Sequence, residues 1–262
     1  MHLKRWVTAL VLLPAVIYCI GFSPSYFFYT FLCLFLFLGL REFFKIVNLS
    51  FVFQLYGYCI SALLISVFLK GILYFFPLLF SLALFLLMSY ILLVYSPKKE
   101  IIQDIGLVLL SIVYITVPVF MLMVIYKHPM GKAFIFLLLS MVIAGDTAAF
   151  YFGRYLGKHK LHEKVSPNKT WEGAIGGFLC SLMIGVMFIR AFRIIPLSWD
   201  SLCLLICIPV AAQLGDLAES FIKRSYNVKD SGTILPGHGG VLDRVDSFLF
   251  TVPLIYGYMI GR

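Results

Sequence analysis

Apolar runs of about 17–25 residues recur along this chain, and each is long enough to cross the ~30 Å hydrocarbon layer of a bilayer as a helix. Nine spans follow from them: 6–22, 25–40, 51–69, 72–95, 104–126, 133–152, 173–192, 201–218 and 245–261. The expected fold class is all-α, a polytopic integral membrane protein of about nine transmembrane helices. Composition agrees. The chain is 62% hydrophobic and 13% charged, where soluble domains run near half apolar and about a quarter charged. That leaves no room for a separate soluble domain.

The connections between early spans are short, and two later ones are long and polar, 153–172 and 219–244. We therefore divide the chain into N-terminal transmembrane helices, 1–132, and a C-terminal transmembrane region carrying the polar loops, 133–262. Met1–Phe22 resembles a signal peptide, but it lacks a clear small-residue cleavage site and further spans follow, so a retained first helix is expected. With the N-terminus inside, 15 of the 21 basic residues fall on cytoplasmic segments and six outside. The positive-inside bias then puts both long loops, and any chemistry, on the cytoplasmic face. The net charge of +9 reads as lysine and arginine beside anionic headgroups; membrane lipids are the expected partners and nucleic acid is not. All six cysteines lie within apolar runs without metal spacing, as small buried hydrophobes.

A charge within a span costs about 2.5–3.5 kcal/mol on insertion scales, so an intramembrane carboxylate is a functional candidate. Asp146 in "VIAGDTAAFYFGR" is one, and Asp216 in "AAQLGDLAESFIKR" is the second. From Asp216, Glu219, Ser220 and Lys223 follow at offsets that share one helix face. In "VLDRVDS", Asp243 and Asp246 share a face if the last helix begins near Val241. One aspartate would serve as a cap; two beside Arg244 look like a cluster held by cations, and Mg2+ favours such oxygen ligands together with substrate phosphates. "PGHGG", Pro236–Gly240, cannot lie inside a helix. With Lys223, Arg224, Lys229, His238 and Arg244 around it, Gly239 and Gly240 suit a turn whose amides approach phosphate. In the other loop "SPNKTWEG" fixes Lys169 and offers Thr170 as the cap of a helix entered at Trp171. His159 and His162, among lysines, are not expected to bind metal.

Ser220–Asp246, "SFIKRSYNVKDSGTILPGHGGVLDRVD", resembles the signature of the phosphatidate cytidylyltransferases. "GDTAAFYFGRYLGKHKL" and "SPNKTWEG" are similar to further motifs of that family; "LREFFKIV", Leu40–Val47, matches only in general pattern. The resemblance implies an enzyme moving CMP from CTP to phosphatidate, giving CDP-diacylglycerol and pyrophosphate in a bacterial inner membrane. It implies Mg2+ held by Asp216 and Asp243, with Asp246 in support, and leaves open a second cation such as K+ and a homodimer; Asp146, as an intramembrane carboxylate, is the fourth expected metal residue. Asp216, Asp243, Asp246, Lys223 and His238 are the expected catalytic set. Lys169, Arg224, Lys229, Gly239, Gly240 and Arg244 are expected to meet nucleotide or lipid phosphate. The rivals are a secondary transporter, disfavoured because polar residues crowd one side and no inverted repeat is visible, and a CTP-using enzyme with another lipid acceptor, such as a polyprenol. A CDP-alcohol phosphotransferase is disfavoured because its acidic motif is absent.

Overall fold

The computed structural model describes residues 14–71, 76–94, 99–234 and 239–261. Residues 14–21 are helical, so the first expected span is described only at its end. Seven helices follow that are long and apolar enough to cross a membrane. They are α1 (Ser25–Ile46), α2 (Phe51–Leu69), α3 (Phe76–Val94), α4 (Lys99–Lys127), α5 (Gly131–Tyr155), α6 (Trp171–Phe192) and α7 (Trp199–Ser225). A shorter apolar helix of 15 residues, α8 (Asp246–Ile260), closes the chain. The all-α expectation needs one amendment. Lys160–His162 and Ser166–Thr170 form an antiparallel hairpin, β1–β2, within the loop 153–172.

Two helices overrun their expected ends, for a physical reason. The run at 25–40 stops at Arg41 in sequence, yet α1 continues to Ile46 with Glu42 buried inside it. The run at 201–218 stops before Glu219, yet α7 continues to Ser225 because Glu219 and Lys223 pair one turn apart. In α4 the backbone departs from α geometry between Ile112 and Thr116, a π-turn. Such turns cluster at functional sites. Thr170 caps α6 as expected, its Oγ1 accepting from the Gly173 amide at 3.2 Å.

The core is a continuous apolar cluster drawn from every helix, with Phe43, Phe44, Leu64, Val108, Ile115, Met123, Leu137 and Val252 fully buried. Against it stand many exposed apolar side chains, Phe85, Leu92 and Trp199 among them, which in a bilayer face hydrocarbon. α8 packs against both α7 and α4, so the end of the chain is wedged between its N-terminal and C-terminal halves. Gln213 on α7 donates through Nε2 to the Ala174 carbonyl of α6 at 2.9 Å. The two polar loops consequently meet at one end of the bundle.

Candidate active site at one membrane face

The meeting is direct. Lys169, on β2, forms an ion pair with Asp216 of α7, Nζ to Oδ2 2.5 Å, and Arg224 Nε donates to the Val165 carbonyl at 3.4 Å. Asp146 of α5 and Asp246 at the start of α8 lie within electrostatic reach of Asp216 and of each other, with Lys169 and Arg244 as countercharges. Three helices thus contribute one carboxylate each. α7 and α8 approach closely because position 215 is glycine: a Cβ there would stand 2.7 Å from the Asp246 carbonyl oxygen.

Nearer the loop end of α7, Lys223 is buried between two carboxylates. Its Nζ donates to Glu219 Oε2 at 2.8 Å and to Asp243 Oδ1 at 2.6 Å. Glu219 is 1% exposed; among the described residues its buried Oε1 meets no hydrogen-bond donor, and the Asp246 carboxyl lies beside it. An unpaired buried carboxylate oxygen is costly unless a cation or proton answers it. The shared-face expectation for Asp243 and Asp246 does not hold. A single 3-10 turn, Leu242–Arg244, precedes α8, and the chain changes direction at Val245 (φ −132°, ψ 2°). Asp243 therefore turns toward Lys223 and the loop, and Asp246 toward Glu219 and Asp216.

Asp243 organises that loop. It accepts from the Ser231 amide through both oxygens (3.2 and 2.9 Å) and from the Gly240 amide at 2.8 Å. Burial alone would push its carboxyl up; the Lys223 ammonium and the Gly240 and Ser231 amides outweigh it and hold Asp243 below the usual carboxylate range. Of the two glycine amides expected to approach phosphate, that of Gly240 is thus taken by the protein's own Asp243. Gly239 sits at φ 84°. A Cβ on Gly240 would overlap Ser231 Oγ and stand 2.6 Å from Glu42 Oε2. Lys229, Asp230 and Arg244 are exposed, and His238, with Leu235, Pro236 and Gly237, lies outside the described residues. His159 is held by Glu172 (2.6 Å) rather than by His162.

Sequence reasoning missed two residues. Glu42, 3% exposed on α1, accepts from the Val241 amide (2.9 Å), the Leu242 amide (2.8 Å) and Ser231 Oγ (3.2 Å). It clasps both limbs of the loop from the other half of the chain. Tyr114, in the π-turn of α4, is 6% exposed, its hydroxyl buried and without a partner among the described residues. It lies in the field of Glu219, Asp246, Asp216 and Asp243. An acid residue inside an apolar run was the available signal for Glu42; nothing in the sequence marked Tyr114.

Seven helices long and apolar enough to cross a membrane, with carboxylates and ammonium groups gathered at one end of the bundle, are the architecture of a polytopic membrane protein. The chain belongs to the cytidylyltransferase family, whose model matches residues 3–260. It is similar to proteins named phosphatidate cytidylyltransferase from Staphylococcus saprophyticus and Staphylococcus haemolyticus, each at 42% identity, and from Staphylococcus epidermidis at 41%. Each alignment covers 65% of this chain and 64% of the relative, so the match spans a little under two thirds of the relatives' length.

Proposed function

We propose that this protein transfers CMP from CTP to phosphatidate, forming CDP-diacylglycerol and pyrophosphate, at the cytoplasmic face of a nine-span protein of the bacterial inner membrane. The observation that carries the reading is the linked set of ion pairs, Lys169–Asp216 and Glu219–Lys223–Asp243, where both polar loops meet. Membership of the cytidylyltransferase family supports the class of reaction, and the names of the Staphylococcus relatives support the acceptor.

In this reaction a phosphate oxygen of phosphatidate bonds to the α-phosphorus of CTP, and the bond from that phosphorus to the bridging oxygen breaks, releasing pyrophosphate. The attacking oxygen is already anionic near neutral pH, so no strong general base is needed. The difficulty is juxtaposing two anions and stabilising the leaving group, which calls for positioning and fixed charge. Lys169, Arg224, Lys229 and Arg244 would neutralise phosphate, with His238 assigned to the same triphosphate. Lys223 is too engaged to swing freely; it sets the positions of Asp243 and Glu219. Gly239 and Gly240 shape the turn.

The donor set suits Mg2+, since it consists of hard carboxylate oxygens and includes the unpartnered Glu219 Oε1. Among the described residues no three such side chains converge on one point, so phosphate oxygens of the nucleotide would complete the shell, as is usual for Mg2+. Asp216 would hold the ion with Asp146 and Asp246 alongside, and the Glu219 oxygen would suit a second cation such as K+. Asp243, whose oxygens already accept from Lys223 and two amides, is the least free of the expected ligands. When bound, Mg2+ supplies charge neutralisation on the pyrophosphate.

Purified protein given Mg2+ and CTP, labelled at the α-phosphate in one reaction and at the γ-phosphate in a parallel one, tests the reading. Label in a lipid with phosphatidate as acceptor, and none with a polyprenol or its phosphate, is the expected result. Transfer of the γ-phosphate to a polyprenol would replace this reading with a kinase.

A further inference from the structure

Between the end of α1 and the start of α2 the structure has a cavity of about 420 Å3 lined by Arg41, Phe44, Lys45, Asn48, Leu49 and Gln54. We propose that this cavity is a second lipid site that holds the phosphate of an anionic phospholipid, separate from the carboxylate centre. Three features of charge converge on it. Arg41 and Lys45 stand one helical turn apart on the exposed face of α1. Among the described residues neither meets a carboxylate: the ion pairs there join His159, Lys169 and Lys223 to their acids. The third is the N-terminus of α2, a 19-residue helix whose N-cap, Ser50, makes no capping hydrogen bond through its side chain, so its first amides face an anion favourably. Asn48, at φ 51°, turns the chain between the two helices, and the buried rings and chains of Phe44 and Leu49 form an apolar floor.

A lipid fits better than a free phosphate because the cavity opens onto hydrocarbon-facing surface. Below Arg41 the same face of α1 continues as exposed Phe37, Leu34 and Phe27, and Phe51 and Leu55 of α2 are 76% and 52% exposed. A headgroup at Arg41 and Lys45 would leave its acyl chains along that stripe. Basic pockets between transmembrane helices bind phospholipid headgroups in this way. The site lies on the same membrane face as the reaction centre, since Glu42, between its two cations in sequence, bonds the Val241 and Leu242 amides. Positive-inside placement explains two cations at a helix end; it does not explain a cavity, an uncapped helix and an apolar stripe meeting at them.

The test uses the full chain in mixed micelles titrated with phosphatidylglycerol and, separately, phosphatidylcholine, with bound lipid read by native mass spectrometry. Arg41→Gln with Lys45→Gln should weaken phosphatidylglycerol binding about 30-fold, from two basic contacts of roughly fivefold each, and leave phosphatidylcholine unchanged. Arg41→Lys with Lys45→Arg, keeping the charge, should restore most of the affinity. Lys70→Gln with Lys127→Gln, removing the same charge at the opposite face, should have no effect. Glycerol 3-phosphate at millimolar concentration should not compete; full competition would make the ligand a free phosphate ester and overturn the lipid assignment. Wild-type affinity in the double glutamine variant, an equal loss in the Lys70/Lys127 control, or an equal loss of phosphatidylcholine would each overturn the site.

Discussion

Replacing Glu42 by alanine should unfasten the loop 229–244 without unfolding the bundle. The side chain accepts three hydrogen bonds, from the Val241 and Leu242 amides and from Ser231 Oγ. A hydrogen bond to a charged acceptor contributes about 1.5–3 kcal/mol, and a buried amide left without an acceptor costs about 1–3 kcal/mol. The Leu242 amide is in a residue 1% exposed and cannot turn to water in place. Taking only the two amides, the closed loop should lose about 3 kcal/mol, roughly a hundredfold in its ratio of closed to open forms. Glu42→Gln keeps the volume, but its NH2 opposes one of those N–H groups, so it should recover only part of the loss. The assay is hydrogen exchange followed by mass spectrometry. Peptides covering 229–234 and 239–244 should exchange about 10–100 times faster, peptides from α7 should stay as in wild type, and CMP transfer should fall in the same proportion. Wild-type exchange in the loop of Glu42→Ala would refute the clasp, and so would exchange accelerated equally in α7.

Other perturbations separate the parts of the site. Gly240→Ala should destabilise the loop by about 1–3 kcal/mol through overpacking against Ser231 and Glu42, visible as faster exchange at 229–234 with α5 unaffected. Tyr114→Phe removes a buried hydroxyl that has no partner, so thermal unfolding in detergent should shift upward, by the equivalent of about 1 kcal/mol, while CMP transfer falls; a drop in stability would mean the hydroxyl is bonded. Asp243 has a lowered pKa, so its stabilising contribution is complete above the unfolded value of about 3.9. It disappears as pH falls through the still lower folded value. Loop protection attributable to this group should be flat from neutral pH to about pH 4 and decline only below it, and Asp243→Asn should abolish that acid limb.

The apolar runs made the helical architecture legible, because period and length alone decide what a bilayer admits. They misjudged the ends of α1 and α7, where a charge that looked like the edge of the membrane is answered inside the protein. The acidic and basic residues of 216–246 were legible as a group since they lie close in sequence. Their division was not: the turn at Val245, which sends Asp243 and Asp246 to different partners, depends on how α8 packs and leaves no mark in "VLDRVDS". Glu42 lies about 190–200 residues from the groups it binds, a pairing that no local pattern encodes. The glycine turn was read as a cradle for phosphate; in this structure its Gly240 amide donates to Asp243, and the Val241 and Leu242 amides that follow donate to Glu42. Tyr114 is set apart by a π-turn in an otherwise apolar helix, and periodicity reads straight through it.

In the proposed reaction the phosphates would lie between Asp216 on one helix and the basic residues of two loops, and Asp216→Asn probes that arrangement with the least change of shape. Activity of the variant in Mg2+, CTP and phosphatidate should fall at least a hundredfold, with exchange in the loop 229–244, which Asp216 does not hold, as in wild type. Wild-type formation of CDP-diacylglycerol by this variant would contradict it.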